Sequence, residues 1–165
     1  MNATMNALRL SIVGAGILTT GFGVSPTTAA PKKSNITHMY GMSGTCHHLS
    51  MGKADISDKC ANVLINRDIG NGTATEFLFT LQDGSMVFFH GSQGQAHSDP
   101  DTALQTLTGA GFIQNGVTKG IPATGLCRFT NPFKGPATVH CEANTELGPY
   151  IGDFATDGTE PKKFK

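Results

Sequence analysis

The sequence predicts an all-β fold, a small antiparallel β-sandwich or barrel with two local disulfides. Short runs of alternating apolar and polar residues recur along the chain, and turns rich in Gly, Asn and Asp separate them. The spacing of the apolar residues indicates no amphipathic helix longer than about two turns. Two cysteine pairs with the same spacing, Cys46 with Cys60 and Cys127 with Cys141, complete the pattern.

Residues 1–29 are expected to be a secretory signal peptide. Arg9 is followed by an uncharged and mostly apolar run, Leu10–Val24, and then by small residues up to a cleavage site after Ala29. The run has about 15 residues, fewer than the roughly 20 that a membrane-spanning helix needs. We therefore expect a periplasmic or secreted protein with no transmembrane anchor in its mature part.

Residues 30–158 suit a single β-rich domain, and residues 159–165 are predicted to be a flexible basic tail. The formal net charge of the chain is 0 at pH 7. The one basic cluster is the group of three lysines in the tail, so nucleic-acid binding is not expected. The expected partner is instead a protein or a ligand of the cell envelope.

Export favours disulfide bonds over metal or thiol chemistry for the four cysteines. Four cysteines allow three connectivities, and we favour the two local pairs because the sequence offers each pair a turn between its members. Counting outward from Lys134 places Cys127 opposite Cys141, which predicts a bond between neighbouring strands. Each bond closes a loop of about 15 residues, which contributes about 3 kcal/mol in the chain-entropy model.

The first part of the mature chain is predicted to be extended. Ile36–Thr45 is read as extended or irregular, and Cys46–Met51 as a strand that ends at a turn at Gly52-Lys53. Ser57 is expected to cap a short helical turn, after which a strand resumes at Val63–Ile65.

The clearest element is a hairpin from Thr73 to His90. It begins after the turn at Gly70-Asn71-Gly72, and Asp83-Gly84 is a two-residue hairpin turn. Phe77, Phe79 and Leu81 occupy every second position of its first strand and so lie on one face, which predicts a half-buried strand.

Further strands and turns are predicted in the rest of the chain. Leu104–Phe112 is compatible with a helix or a strand, and we favour a strand after a turn. Further turns are predicted at Asn115-Gly116, at Lys119-Gly120 and within Asn131–Pro136. Between Ala137 and Ala143 the odd-numbered residues are expected inside, so that His140 faces water. A final strand is expected within Glu146–Phe154.

Imidazole and thioether groups are concentrated near the first cysteine pair, and such ligands suit copper or zinc. The candidate metal ligands are His38, Met42, His47, His48 and Met51, with Met39 in the same segment. Their spacing matches no metal-binding template, and adjacent histidines of a strand point to opposite faces. Methionine also fills cores without any metal. No metal site is therefore favoured.

No catalytic residues are predicted. The segment Gly41–Thr45 lacks the last glycine of a nucleophile-elbow motif. The remaining candidates are scattered histidines and paired aspartates in turn-like sequence: His90, His97, His140, Asp99 with Asp101, and Asp153 with Asp157. The aspartates are read as turn and cap residues. The Gly-rich segment that contains Gln93, Gln95 and His97 is predicted to be an exposed loop that could bind a partner.

Several segments carry a resemblance to known sequences: Asp55-Ile56-Ser57 with Cys60, Leu64-Ile65-Asn66, Asn131–Val139 with Cys141, and Asp157-Gly158 before Pro161. Over most of the mature chain they make the protein resemble a family of small exported proteins of Gram-negative bacteria. The resemblance implies periplasmic or secreted placement and a shared disulfide framework. It implies no activity and no functional residues.

The sequence thus favours a non-enzymatic binding or envelope-associated protein. Two other hypotheses are a periplasmic copper- or zinc-binding protein that uses the segment 38–51, and a secreted hydrolase.

Overall fold

Eight long antiparallel strands close into a barrel in which successive strands of the chain are neighbours. The structure is a computed structural model that describes residues 36–92, 95–96 and 101–164. The long strands are β1 Ile36–Met51, β3 Cys60–Ile69, β4 Ala74–Leu81, β5 Met86–Ser92, β7 Thr102–Gln114, β8 Val117–Thr130, β9 Thr138–Thr145 and β10 Gly148–Thr156. The short strands are β2 Ala54–Asp55, β6 Gln95–Ala96 and β11 Lys162–Lys163, and two 3-10 turns span Ser57–Lys59 and Pro132–Lys134.

Pairing of β10 with β1 closes the barrel, so the all-β prediction is confirmed in its barrel form. The register runs from Gly44 opposite Thr156 to Met51 opposite Tyr150. Only the second half of β1 pairs with β10, while its first half pairs with β3. Strand β11 then pairs with Tyr40 and Gly41 of β1 and covers the edge that β10 leaves open.

The barrel interior is filled by the side chains that alternate inward along each strand. Phe77, Phe79 and Leu81 are buried in this core, as their alternation predicts. The inward residues of β9, Val139 and Cys141 among them, are buried as well, and His140 between them is exposed. A smaller apolar cluster, formed by Leu78, Phe88 and Ile113, lies on the alternate positions of its strands.

Both predicted disulfides are present. Cys127 lies directly opposite Cys141 on the neighbouring strand, with 4.0 Å between the Cα atoms. Cys46 and Cys60 join β1 to the start of β3, with 6.1 Å between the Cα atoms. The predicted pairing and the predicted bond between neighbouring strands at Cys127 and Cys141 are therefore confirmed.

The predicted hairpin turns rest on residues with positive φ. Asn71 and Asn115 have φ values of 60° and 50°, and each is followed by a glycine of positive φ. Consecutive residues of this conformation match the twist of a two-stranded hairpin, and Asn and Gly adopt it most readily.

Some local predictions are wrong. No turn occurs at Lys119-Gly120, which lies inside β8. A residue without a side chain suits position 120 because the Phe88 ring lies close to the backbone there. A Cβ atom at this position would lie 3.1 Å from the ring. Ser57 is not a cap, because it is the first residue of the 3-10 turn and Ile56 precedes it as the N-cap. The segment Leu104–Phe112 is a strand throughout, as favoured.

Part of the basic tail pairs with β1 in the residues that the structure describes. Phe164 donates its backbone N–H to the carbonyl of Met39, and its ring covers Gly41. The tail is thus held by pairing with β1, an interaction that no local pattern in the tail indicates. The predicted signal peptide, residues 1–29, lies outside the described residues. None of the residues described belongs to a helix that is long and apolar enough to cross a membrane.

Candidate ligand-binding site at one end of the barrel

One end of the barrel contains a cavity of about 350 Å³. Strands β1, β4, β7 and β9 begin at this end and β3 and β8 finish there, because neighbouring strands are antiparallel. The apolar part of the wall includes Met42, Phe77, Phe129 and Val139, all of which belong to or pack against the barrel core. The Phe77 and Phe129 rings meet edge to face with centroids 5.0 Å apart. The cavity therefore continues the core into an opening that solvent can reach.

Strand β3 supplies polar groups to the same cavity. Its inward positions run from Leu64, which is fully buried, through Asn66 to Asp68, and the last two line the cavity. Thr75 of β4 lies opposite Asp68 and donates its hydroxyl hydrogen to Asp68 Oδ1 at 3.1 Å. His38 Nδ1 of β1 is 3.8 Å from the other carboxylate oxygen, Oδ2. A row of polar side chains from three strands thus crosses the barrel mouth.

Gln105 is a wholly buried polar residue beside this row. It lies on β7 two positions after Ala103, which lines the cavity, and so shares its face of the strand. Its Nε2 donates to the carbonyl oxygen of Thr75 at 2.6 Å. Its Oε1 has no hydrogen-bond partner among the described residues. Gln105 does not itself line the cavity, and leaving this buried oxygen unpaired costs about 1–3 kcal/mol.

Aromatic side chains stand at the rim. Tyr40 and Phe133 meet edge to face at 5.5 Å, and Phe133 is 57% exposed. Asn131 holds Phe133 in place, because its side-chain oxygen accepts the backbone N–H of Phe133 at the start of the second 3-10 turn. On the same turn Lys134 forms an ion pair with Asp101 of the rim. A large apolar ring is therefore kept at the opening rather than buried.

The segment before β11 completes this end of the barrel. Pro161 is buried and lines the cavity. Lys163 Nζ then lies 6.0 Å from the centroid of the Tyr40 ring, within the range of a cation–π contact.

The first disulfide lies beside a second polar cluster, which joins His48, Ser57 and Asp55. Ser57 Oγ is 2.6 Å from Asp55 Oδ1 and 3.2 Å from His48 Nδ1, and it accepts the backbone N–H of Leu49. Hydrogen bonds from Ser57 to the carboxylate lower the pKa of Asp55. Ser57 Oγ is thus closer to the Asp55 carboxylate than to the His48 ring. The cluster fastens the 3-10 turn to β1.

The candidate metal ligands all lie on β1. His38 is at the cavity mouth, Met42 is buried in the core, and Met51 packs against that core near the other end of the strand. His47 is exposed, whereas His48 contacts Ser57. A strand rises about 3.3 Å per residue, so His38 and His48 are roughly 30 Å apart along β1. The structure does not bring the five residues together. Among the residues described, no group of three or more His, Cys, Asp or Glu could hold a metal ion.

The other sequence candidates are dispersed. Gln93, His97 and Asp99 lie outside the described residues, and only the backbone of Gln95 is described, in β6. His140 pairs with Asp153 on the exposed face of β9 and β10. Asp157 accepts a hydrogen bond from the backbone of Thr159 in a turn, as predicted.

A buried carboxylate that sequence reasoning did not single out lies away from the cavity. Glu76 is 7% exposed and receives hydrogen bonds from Arg67 of β3 and His90 of β5. Burial raises the pKa of Glu76, but the His90 hydrogen bond and the Arg67 charge outweigh it, and the net pKa is lowered. Glu76 shares its strand face with Leu78, not with the inward Phe77, so this group stabilises the sheet and does not face the cavity.

Sequence reasoning also missed most of the cavity residues. Asn66, Asp68, Thr75 and Phe129 line the cavity, and none of them is a candidate site residue in the sequence. One signal was available: Asn66 and Asp68 continue the alternation of Leu64, so two polar side chains follow an apolar one on the same face.

Comparison with protein-family models, with curated proteins and with solved structures found no match for the chain. The geometry of the cavity is therefore the basis for a functional proposal.

Proposed function

We propose that this protein is an exported, non-enzymatic binding protein that holds a small ligand in the cavity at the barrel end. The main support for this proposal is the cavity itself. Its lining combines an apolar wall around Phe77 and Phe129 with the polar groups of Asn66, Asp68 and Thr75. Ligand sites combine a mainly apolar lining with a few placed polar groups, and barrel mouths are one of their usual locations.

Three features support the proposal. The cavity volume lies at the lower end of the range of about 300–1,000 Å³ that is common for small-molecule sites. The two disulfides suit an oxidising compartment such as the periplasm or the exterior. The resemblance to small exported proteins of Gram-negative bacteria agrees with that placement and belongs to the same proposal.

The experiment is an NMR titration of the isotope-labelled protein with 2-phenylethanol, a small neutral probe with one aromatic ring. We expect the amide shifts of the cavity residues to move, those of Asp68, Thr75 and Phe129 among them. The variant Ala103→Phe fills the cavity and should abolish these shifts. The matched control is Ala155→Phe, since Ala155 lies between the inward residues Phe154 and Thr156 on the other face of β10. Shifts that persist in Ala103→Phe, or that map elsewhere, would refute the proposal.

The copper or zinc hypothesis remains a second prediction, supported by the residue types of His38, Met42, His47, His48 and Met51. It requires that ligands separated along β1 be joined by groups from elsewhere. Titration of the oxidised protein with Cu²⁺ and Zn²⁺ tests it directly. Dissociation constants above about 10 μM, which corresponds to a binding free energy of about −7 kcal/mol, would refute this hypothesis.

A further inference from the structure

We propose that the ligand of the cavity is an organic cation, an amine with an apolar body of about one ring, whose charged end lies against Asp68. This inference rests on the proposed binding function and specifies its ligand class. It follows from the charges, the unused hydrogen-bond acceptors and the aromatic rings at the barrel mouth.

The charged side chains in the lining of the cavity are both acidic. Asp68 and Asp101 line it, whereas no lysine or arginine of the described residues does so. Asp101 is paired with Lys134, which stands outside the lining. An anionic ligand would bring a like charge towards the half-buried Asp68 carboxylate, and no lysine or arginine in the lining would neutralise it. A cation meets complementary charge.

Asp68 has the geometry of a counter-ion that is only partly satisfied. Its side chain is 24% exposed, and its Oδ1 receives the Thr75 hydroxyl hydrogen. Its Oδ2 is 3.8 Å from His38 Nδ1, beyond hydrogen-bond distance. In the part of the chain that the structure describes, Oδ2 therefore receives no hydrogen bond. A half-buried carboxylate oxygen of this kind favours a cationic donor.

One amide group beside Asp68, that of Asn66, also lines the cavity. Asn66 Nδ2 donates to the carbonyl oxygen of Glu76 at 3.4 Å, so its Oδ1 is the atom left to accept a further hydrogen bond. The unused capacity is thus mainly acceptor capacity. A primary ammonium group carries three donors and no acceptor, which matches it.

The aromatic rings of the site suit both parts of such a ligand. Phe77 and Phe129 provide an apolar wall for the body of the molecule. Tyr40 and Phe133 at the rim present ring faces and edges, and ring faces attract cations. Lys163 Nζ already lies 6.0 Å from the centroid of the Tyr40 ring, so the exposed Phe133 ring is the one left to face the charge of the ligand.

The test compares three probes of nearly equal shape by NMR titration: 2-phenylethylamine, 2-phenylethanol and phenylacetate. We expect the amine to bind about 10-fold more tightly than the alcohol, the size expected for an ion pair supplemented by ring contacts, and phenylacetate to bind most weakly. Asp68→Asn keeps the size and the oxygen that accepts from Thr75, and should reduce the preference for the amine to about 2-fold or less. Asp153→Asn removes an aspartate that is also paired with a histidine but lies away from the cavity, and should leave the 10-fold preference unchanged.

Each outcome decides a separate point. Equal binding of amine and alcohol by the wild-type protein, or tightest binding of phenylacetate, overturns the cation assignment and leaves the cavity as a ligand site. Failure of all three probes to move the cavity resonances overturns the binding function itself. If Asp68→Asn does not fold, the salt dependence of the wild-type protein replaces it. Raising the ionic strength from about 0.02 M to about 0.5 M should weaken the amine several-fold and leave the alcohol unchanged, and equal effects would refute the ion pair.

Discussion

The double variant Cys127→Ala/Cys141→Ala should lose more stability than Cys46→Ala/Cys60→Ala. Both disulfides join residues with a sequence separation of 14, so they close loops of equal length. The chain-entropy model assigns each about 3 kcal/mol. Any difference between the two variants therefore reports what surrounds the sulfur atoms.

The surroundings differ in burial. Cys127 and Cys141 are wholly buried members of the barrel core, whereas Cys46 and Cys60 are partly buried and pack against its margin. Removing a buried group of about the size of a methylene costs about 1 kcal/mol, because packing is lost and a cavity remains. Two such losses add about 2 kcal/mol to the stability that is lost when the loop is no longer closed. We expect destabilisation by about 5 kcal/mol for the buried pair and about 3 kcal/mol for the outer pair.

Urea denaturation followed by far-ultraviolet circular dichroism measures both values under identical oxidising conditions. The slopes of the transitions must be compared, because removing a cross-link also changes the denatured state. Equal losses, or a larger loss for the outer pair, would refute the packing argument. A parallel measurement is alkylation after mild reduction without denaturant. Cys46 and Cys60 should be labelled first, since the buried pair is reached only when the barrel opens.

Two further predictions concern the sheet. Because hydrogen bonding and the Arg67 charge hold the folded-state pKa of Glu76 below its ordinary value of 4.5, this carboxylate stabilises the fold above that pH and loses the contribution as the pH falls through the lowered pKa. In urea titrations the wild-type protein should therefore be more stable than Glu76→Gln at pH 7, with the gap shrinking below about pH 4.5, and a gap that is constant down to pH 3 would contradict this. Gly152→Ala should lower stability by about 1–3 kcal/mol, because its Cβ would lie 2.6 Å from the buried Phe79 ring. Gly109→Ala, whose Cβ would meet nothing closer than 3.4 Å, is the control in thermal melts, and equal losses in the two variants would contradict the overpacking argument.

Some residues of the cavity follow from the strand pattern of the sequence, and others do not. Thr75 and Phe77 lie on a strand whose inward face was predicted, and Asp68 follows from the same alternation once β3 is paired with β4. Phe129 and Val139 come from the far side of the barrel and join them only through closure. The candidate metal ligands show the opposite case. They are close in sequence, but they are spread along β1 because that segment is one extended strand.

Local patterns by themselves determined the strand content, the hairpin turns at Asn71 and Asn115, and the pairing of the four cysteines. These features depend on alternation, on backbone conformations that Gly and Asn favour, and on short loops, all of which are local properties. Only the tertiary structure decided that the sheet is a barrel and not a sandwich, that the basic tail forms β11, and that one barrel end holds a cavity. Each of these depends on pairing β1 with strands from the other end of the chain, as at Gly44 and Thr156. Such pairing depends on the combined fit of all eight strands, because no short stretch of sequence contains both partners.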